Sequence, residues 1–158
     1  MPEATTVMGV QMGRPTSRRL LSGSRVSELT GLHGVTLGKL VSEGFLQRDR
    51  RSLKYTGAEA VVARALAQLQ TRASKPEADR DRRVVQEIRD ALTSGRVTEA
   101  TDVVVAGDFI RLTHTPGERL DATAGLRDFR VLGIGAWVTE FKQREPEAFD
   151  LEVLIAAA

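Results

Sequence analysis

Along the first 23 residues the apolar positions follow no helical period, and Pro2, Gly9, Gly13, Pro15 and Gly23 interrupt them. That pattern predicts a flexible arm over residues 1–23 that carries the basic Arg14, Arg18 and Arg19 near its end, with a short strand over 5–12 as the alternative. From Ser24 a helical period begins. In SRVSELTG, Val26, Leu29 and Thr30 share one helical face, and Gly31 stands where a left-handed C-terminal stop belongs. After Leu32, His33 and Gly34, the run VTLGKLVSEG spaces Leu37, Leu40 and Val41 at i, i+3 and i+4, predicting a second short helix over 35–43 closed by Gly44.

Two short amphipathic helices joined by a tight turn cannot bury both stripes alone, so a third element must cover them. AEAVVARALAQLQTRA at 58–73 supplies it, with Val61, Val62, Ala65, Leu66 and Leu69 on one side and Thr56 or Gly57 at its start. In the intervening FLQRDRRSLKY, Phe45 and Leu46 approach the core, Leu53 and Tyr55 return to it, and residues 48–52 form the basic tip of a small hairpin. The unit over 24–73 therefore reads as a winged helix-turn-helix.

GLHGVTLGKLVSEGFL at 31–46, followed by KYTGAEAVVARALAQL at 54–69, resembles the DNA-binding domain of the MerR family and the related excisionase-like winged helices. The resemblance covers about 50 of the 158 residues and implies DNA binding by the second helix and the wing. With Leu37, Leu40 and Val41 inward, a turn of ~100° per residue points Val35, Lys39 and Ser42 outward, flanked by Gly38 and Glu43. Lys39 suits guanine or a phosphate, Ser42 can donate or accept, Val35 can pack on a thymine methyl, and Gly38 allows close approach of the backbone. Thr36 suits a phosphate held by free backbone amides, and His33 a capping or phosphate-contacting role. Arg48, Arg50, Arg51 and Lys54 in the wing are placed for phosphates beside the groove. Gly13-Arg14-Pro15 resembles the core of a minor-groove AT-hook, against the blander reading of a plain tail.

Ser74, Lys75 and Pro76 mark a break, after which 77–94 reads as a charged helix ending at Gly95. Its narrow stripe of Val84, Val85, Ile88 and Leu92 fits one partner surface, either the same helix of a second subunit or its own domain. In 102–114, a two-residue turn at Gly107-Asp108 pairs Val105 with Ile110 and Val103 with Leu112 on one face, and sets Val104 opposite Arg111 on the other. Past the Thr115-Pro116-Gly117 turn the pattern is mixed: a strand over 129–134 before a helix at 136–144 is one solution, and 148–155 reads as a final strand or short helix. The fold class expected is α+β: an N-terminal winged helix-turn-helix, then a small α+β domain with a β-hairpin over 77–158, for dimerisation or effector binding.

The net charge of +2 hides an asymmetry that agrees with this division. Residues 1–74 hold 11 Lys and Arg against 5 Asp and Glu, whereas 75–158 hold 12 against 16, so the basic surplus lies where the polyanion is expected. The chain has no cysteine, which excludes disulfides and thiolate metal sites and leaves His33 and His114 as the nitrogen ligands; no metal or other cofactor is expected. No apolar run reaches the ~20 residues of a membrane span and no secretory pattern opens the chain, so a cytoplasmic protein without membrane contact is expected. No spacing among Asp108, His114, Glu118, Asp121 and Thr123 signals a nucleophile elbow, a phosphate loop or a metal site, so an enzyme is not expected. The expected function is a sequence-specific transcriptional regulator that binds double-stranded DNA as a homodimer joined through 77–158. The alternatives are an excisionase-like or architectural phage or plasmid factor, and an adaptor that grips a protein.

Overall fold

The computed structural model describes residues 19–69 and 74–149. Their elements run α1 (Gly23–Thr30), α2 (Gly34–Ser42), α3 (Gly57–Leu69), α4 (Lys75–Thr93), β1 (Asp102–Ala106), β2 (Phe109–Thr113), α5 (Pro116–Thr123), β3 (Arg130–Leu132), α6 (Ile134–Arg144) and a 3-10 turn at Pro146–Ala148. This is an α+β arrangement of helices around one small antiparallel sheet. Among the described residues no helix is long and apolar enough to cross a membrane.

α1 begins where the Ser22 hydroxyl accepts the Arg25 N–H at 3.2 Å, and it ends at Gly31, whose φ of 80° a side chain would resist. Val26, Leu29 and Thr30 are buried as their spacing predicts, and the Thr30 hydroxyl satisfies itself by donating to the Val26 carbonyl. α2 buries Leu37 and Leu40 and packs against α1. α3 starts at Thr56, whose hydroxyl accepts the Glu59 N–H at 3.2 Å, and is buried on several sides because α1, α4 and α6 all pack on it.

α4 opens with a reciprocal cap, the Ser74 hydroxyl accepting from the Glu77 N–H and the Glu77 carboxylate accepting from the Ser74 N–H. Its stripe of Val84, Val85, Ile88 and Leu92 is buried, and the surface that covers it includes α3 of the same chain. Each such side chain contributes about 1.5–3 kcal/mol when fully buried, so the nearest apolar surface in the chain takes the stripe that was otherwise open to a second subunit.

β1 and β2 pair antiparallel in the expected register, Val103 opposite Leu112, Val104 opposite Arg111 and Val105 opposite Ile110. β3 joins the other side of β1, Leu132 opposite Val103, giving the order β2-β1-β3. Val103 and Val105 enter the main core; Val104, on the opposite face, is buried as well, and α5 packs on β1 and β2 with Ala122 buried. The hairpin pattern implies one buried face, and the helix at 116–123 accounts for the second. Thr115-Pro116-Gly117 is not a bare turn but the start of α5: the Thr115 hydroxyl accepts the Glu118 N–H at 3.0 Å and Pro116 takes the first helical position, where its missing N–H costs nothing.

One apolar cluster runs from Leu21 through α1, α2, α3 and α4 to β1, α6 and Phe149. The segments 24–69 and 77–149 therefore contribute to a common core.

Candidate nucleic-acid interface

α1 and α2 meet across a three-residue turn at Gly31, Leu32 and His33, and the side of α2 away from the core carries the expected residues. Val35 is 87% exposed, Lys39 and Ser42 are exposed, and Thr36 is half-buried. The Ser42 hydroxyl donates to the Lys39 carbonyl at 2.9 Å. His33 occupies the N-cap position and is exposed, but its side chain makes no capping bond, so the first amides of α2 meet no capping side chain. At Gly38 an added Cβ would meet nothing within 4 Å, so packing inside the chain does not call for glycine there.

The wing is a tight turn rather than a two-stranded ribbon. The Asp49 N–H donates to the Lys54 carbonyl at 2.9 Å and the Leu53 N–H to the Asp49 carbonyl at 2.8 Å. The Asp49 carboxylate accepts the Ser52 N–H at 2.7 Å and the Ser52 hydroxyl at 2.8 Å. Those two bonds, with Arg51 nearby, hold its carboxyl below the usual carboxylate range. The strand-like pairing forms lower down, where Tyr55 exchanges backbone hydrogen bonds of 2.7 Å with Leu21 instead of with 45–47. Tyr55 reaches the core as expected, but Leu53 does not: at a φ of 58° the turn swings it outward and leaves it 53% exposed. A branched apolar side chain held strained and exposed between Arg51 and Lys54 is a candidate contact that the hydrophobic pattern assigned to the core.

Arg50, Arg51 and Lys54 are exposed and Arg48 is half-buried. Among the described residues none of the five cations between His33 and Lys54 forms an ion pair at contact distance, although Arg51 lies near enough to the Asp49 carboxylate to act on it. Of the arm residues, Arg19 is exposed and pairs with Glu147 at 2.6 Å, while Arg14 and Arg18 lie outside the described residues.

Two arginines of α4, which the sequence reading left out of the site, hold this surface in place. Arg82 donates to the Glu43 carbonyl at the end of α2 at 2.9 Å and lies over the Phe45 ring at 4.2 Å. One turn pair further, Arg89 grips Glu59 of α3 with Nε at 2.7 Å and Nη2 at 2.8 Å, and donates to the Phe45 carbonyl at 2.8 Å. The same carboxylate accepts the Gln47 N–H at 2.8 Å, and its hydrogen bonds raise the Arg89 pKa above its ordinary value, keeping the guanidinium charged. Their spacing of seven on α4 puts both arginines on one helix face, the one signal in the sequence that links them.

Compared with protein-family models, with curated proteins and with solved structures, the chain matches none.

Proposed function

We propose that this chain is a sequence-specific DNA-binding regulator that sets α2 in the major groove and rests the turn at 48–54 on the phosphate backbone. The observation that carries this reading is the contrast between the two sides of α2 and the turn that follows it: the inner face of α2 packs on the core, while Lys39, Arg48, Arg50, Arg51 and Lys54 form no contact ion pair among the described residues. The MerR-like pattern at 31–46 supports it, and so does the bare backbone at Gly38, where a helix can come close to a base edge. Val35 and Leu53 add exposed apolar contacts, Val35 for a thymine methyl and Leu53 for the adjacent sugar edge.

Each chain presents one reading head. A palindromic operator would need a second chain joined through 77–158, by a surface other than the α4 stripe that its own chain buries. No catalytic role is proposed.

Electrophoretic retardation on a DNA site selected from a random library tests the reading. Lys39→Ala with Arg50→Ala and Arg51→Ala should abolish retardation without shifting the melting temperature, because all three side chains are exposed. If each contacts one phosphate, the slope of log K against log salt falls by about 2.7, from ~0.9 per phosphate. Unchanged affinity and slope in the triple variant would overturn the proposal, and saltless binding to a protein partner alone would favour the adaptor.

A further inference from the structure

Beside the turn at 48–54 the chain leaves a cavity of about 450 Å³, bounded also by the start of α3 and the last turns of α4. That size lies within the ~300–1,000 Å³ of small-molecule sites. Small side chains make the room, because Thr56, Ala58 and Thr93 line it where larger ones would fill it. Half-buried Leu20 adds an apolar wall. The lining thus offers the body of an organic ligand three methyl-bearing side chains and one aliphatic chain to pack on.

The charged groups of the same lining divide into those already satisfied and those left over. Glu59 accepts twice from Arg89 and once from the Gln47 N–H, and Asp49 accepts the Ser52 N–H and hydroxyl. Among the described residues, by contrast, the side chains of Arg48 and Lys54 make no hydrogen bond or ion pair, and Arg89 donates through Nε and Nη2 but not through Nη1. The unmet charged groups are therefore all donors. The three cations of the lining, Arg48, Lys54 and Arg89, exceed its two carboxylates, Asp49 and Glu59, by one. An acceptor with a single negative charge answers both facts, whereas an amine would meet the surplus as a like charge. Arg48 is half-buried, so its attraction to such an acceptor is screened less than that of a cation out in water.

We propose that this cavity binds a small organic monocarboxylate, its carboxylate on Arg48 and Lys54 and its apolar body against Leu20 and Ala58. The regulatory consequence rests on the duplex-binding reading above, in which the same two cations meet phosphates. An acid that holds Arg48 and Lys54 withdraws both from the DNA backbone, so acid and DNA compete. Linkage makes the effect reciprocal, each ligand weakening the other by the same factor. With two phosphate contacts withheld, the slope of log K against log salt falls by about 1.8, at ~0.9 per phosphate.

Calorimetric titration of the full chain with octanoate, benzoate and 4-phenylbutyrate tests the site, and methyl NMR at Ala58 and Thr93 locates it. At least one acid should bind saturably and shift both methyl signals, and its primary amide should bind about tenfold more weakly or worse, the scale of a lost charge-assisted hydrogen bond. Thr93→Trp, which fills the cavity from an exposed position, should abolish binding. Thr93→Glu, which sets a charge against the carboxylate, should weaken it, and decides the matter if the larger side chain lowers the melting temperature. No saturable binding of any of the three acids, or affinity unchanged in both variants, overturns the site. Retardation of the selected DNA with and without saturating acid tests the competition: DNA affinity should fall about tenfold, and the salt slope with it. Acid binding that leaves DNA affinity unchanged overturns the competition. Acid binding to a chain that retards no DNA overturns the duplex reading and supports the site on its own.

Discussion

Replacing Arg89 with methionine should unfold more of this protein than any substitution of an exposed cation. Arg89 and Glu59 have side chains only 13% and 7% exposed, and the arginine donates twice to the carboxylate and once to the Phe45 carbonyl. In Arg89→Met the Glu59 carboxylate stays buried with the Gln47 N–H still donating to it at 2.8 Å, and the Phe45 carbonyl loses its partner from α4. Breaking a buried pair from one side costs about 3–5 kcal/mol, which is roughly a fifth or more of the 5–15 kcal/mol that holds a typical domain together. Removing the charge too, in Glu59→Gln with Arg89→Met, should recover much of that loss, since an amide can keep the Gln47 bond without an uncompensated charge. Urea denaturation followed by circular dichroism measures both, provided the slope m is the same in each variant. A single variant within ~1 kcal/mol of the parent, or a double variant no more stable than the single, would refute the reasoning.

The remaining predictions are structural. Gly135→Ala should be strongly destabilising, because a Cβ there would lie 2.2 Å from the Thr98 carbonyl oxygen and 2.6 Å from that of Glu99, both backbone atoms; thermal melting checks it, and a change within the usual surface range would contradict the packing of α6 on the loop before β1. Asp102 is pushed above its ordinary value of 3.8 by burial, against the opposing hydrogen bond from Arg119. A raised folded-state value means that its contribution is intact below about 3.8 and lost as pH rises through the folded value. Asp102→Asn, which keeps an acceptor for Arg119, should therefore gain on the parent between pH ~4 and pH 7, and a stability difference that does not change with pH would contradict this.

Local spacing made the first two helices legible: Val26, Leu29 and Thr30, then Leu37 and Leu40, fall inward as their periods require. The β1–β2 register was equally plain, since a two-residue turn leaves one pairing that puts Val103, Val105, Ile110 and Leu112 together. What failed needed information that a period does not carry. The stripe on α4 announces that Val84, Val85, Ile88 and Leu92 will be covered, but not by what. Leu53 alternates correctly for a strand, and a left-handed residue in a tight turn reverses it. The Thr115-Pro116-Gly117-Glu118 start of α5 was present in the text, a capping threonine with proline after it and glutamate three on, and was masked by the turn preferences of Pro and Gly. For the candidate site, the outward residues of α2 could be named from sequence, whereas Arg82 and Arg89 act across folds of the chain that no local pattern joins.

The shared core and the grip of α4 on α2 have a kinetic consequence. With one apolar cluster spanning α1 to Phe149, the most protected amides of the sheet exchange with solvent only when the whole chain opens. A ligand gripped by α2 at a hundred times its Kd adds about 2.7 kcal/mol to every such opening. Exchange at Val104, in the middle of β1, should then slow about a hundredfold, although no atom of the ligand comes near the sheet.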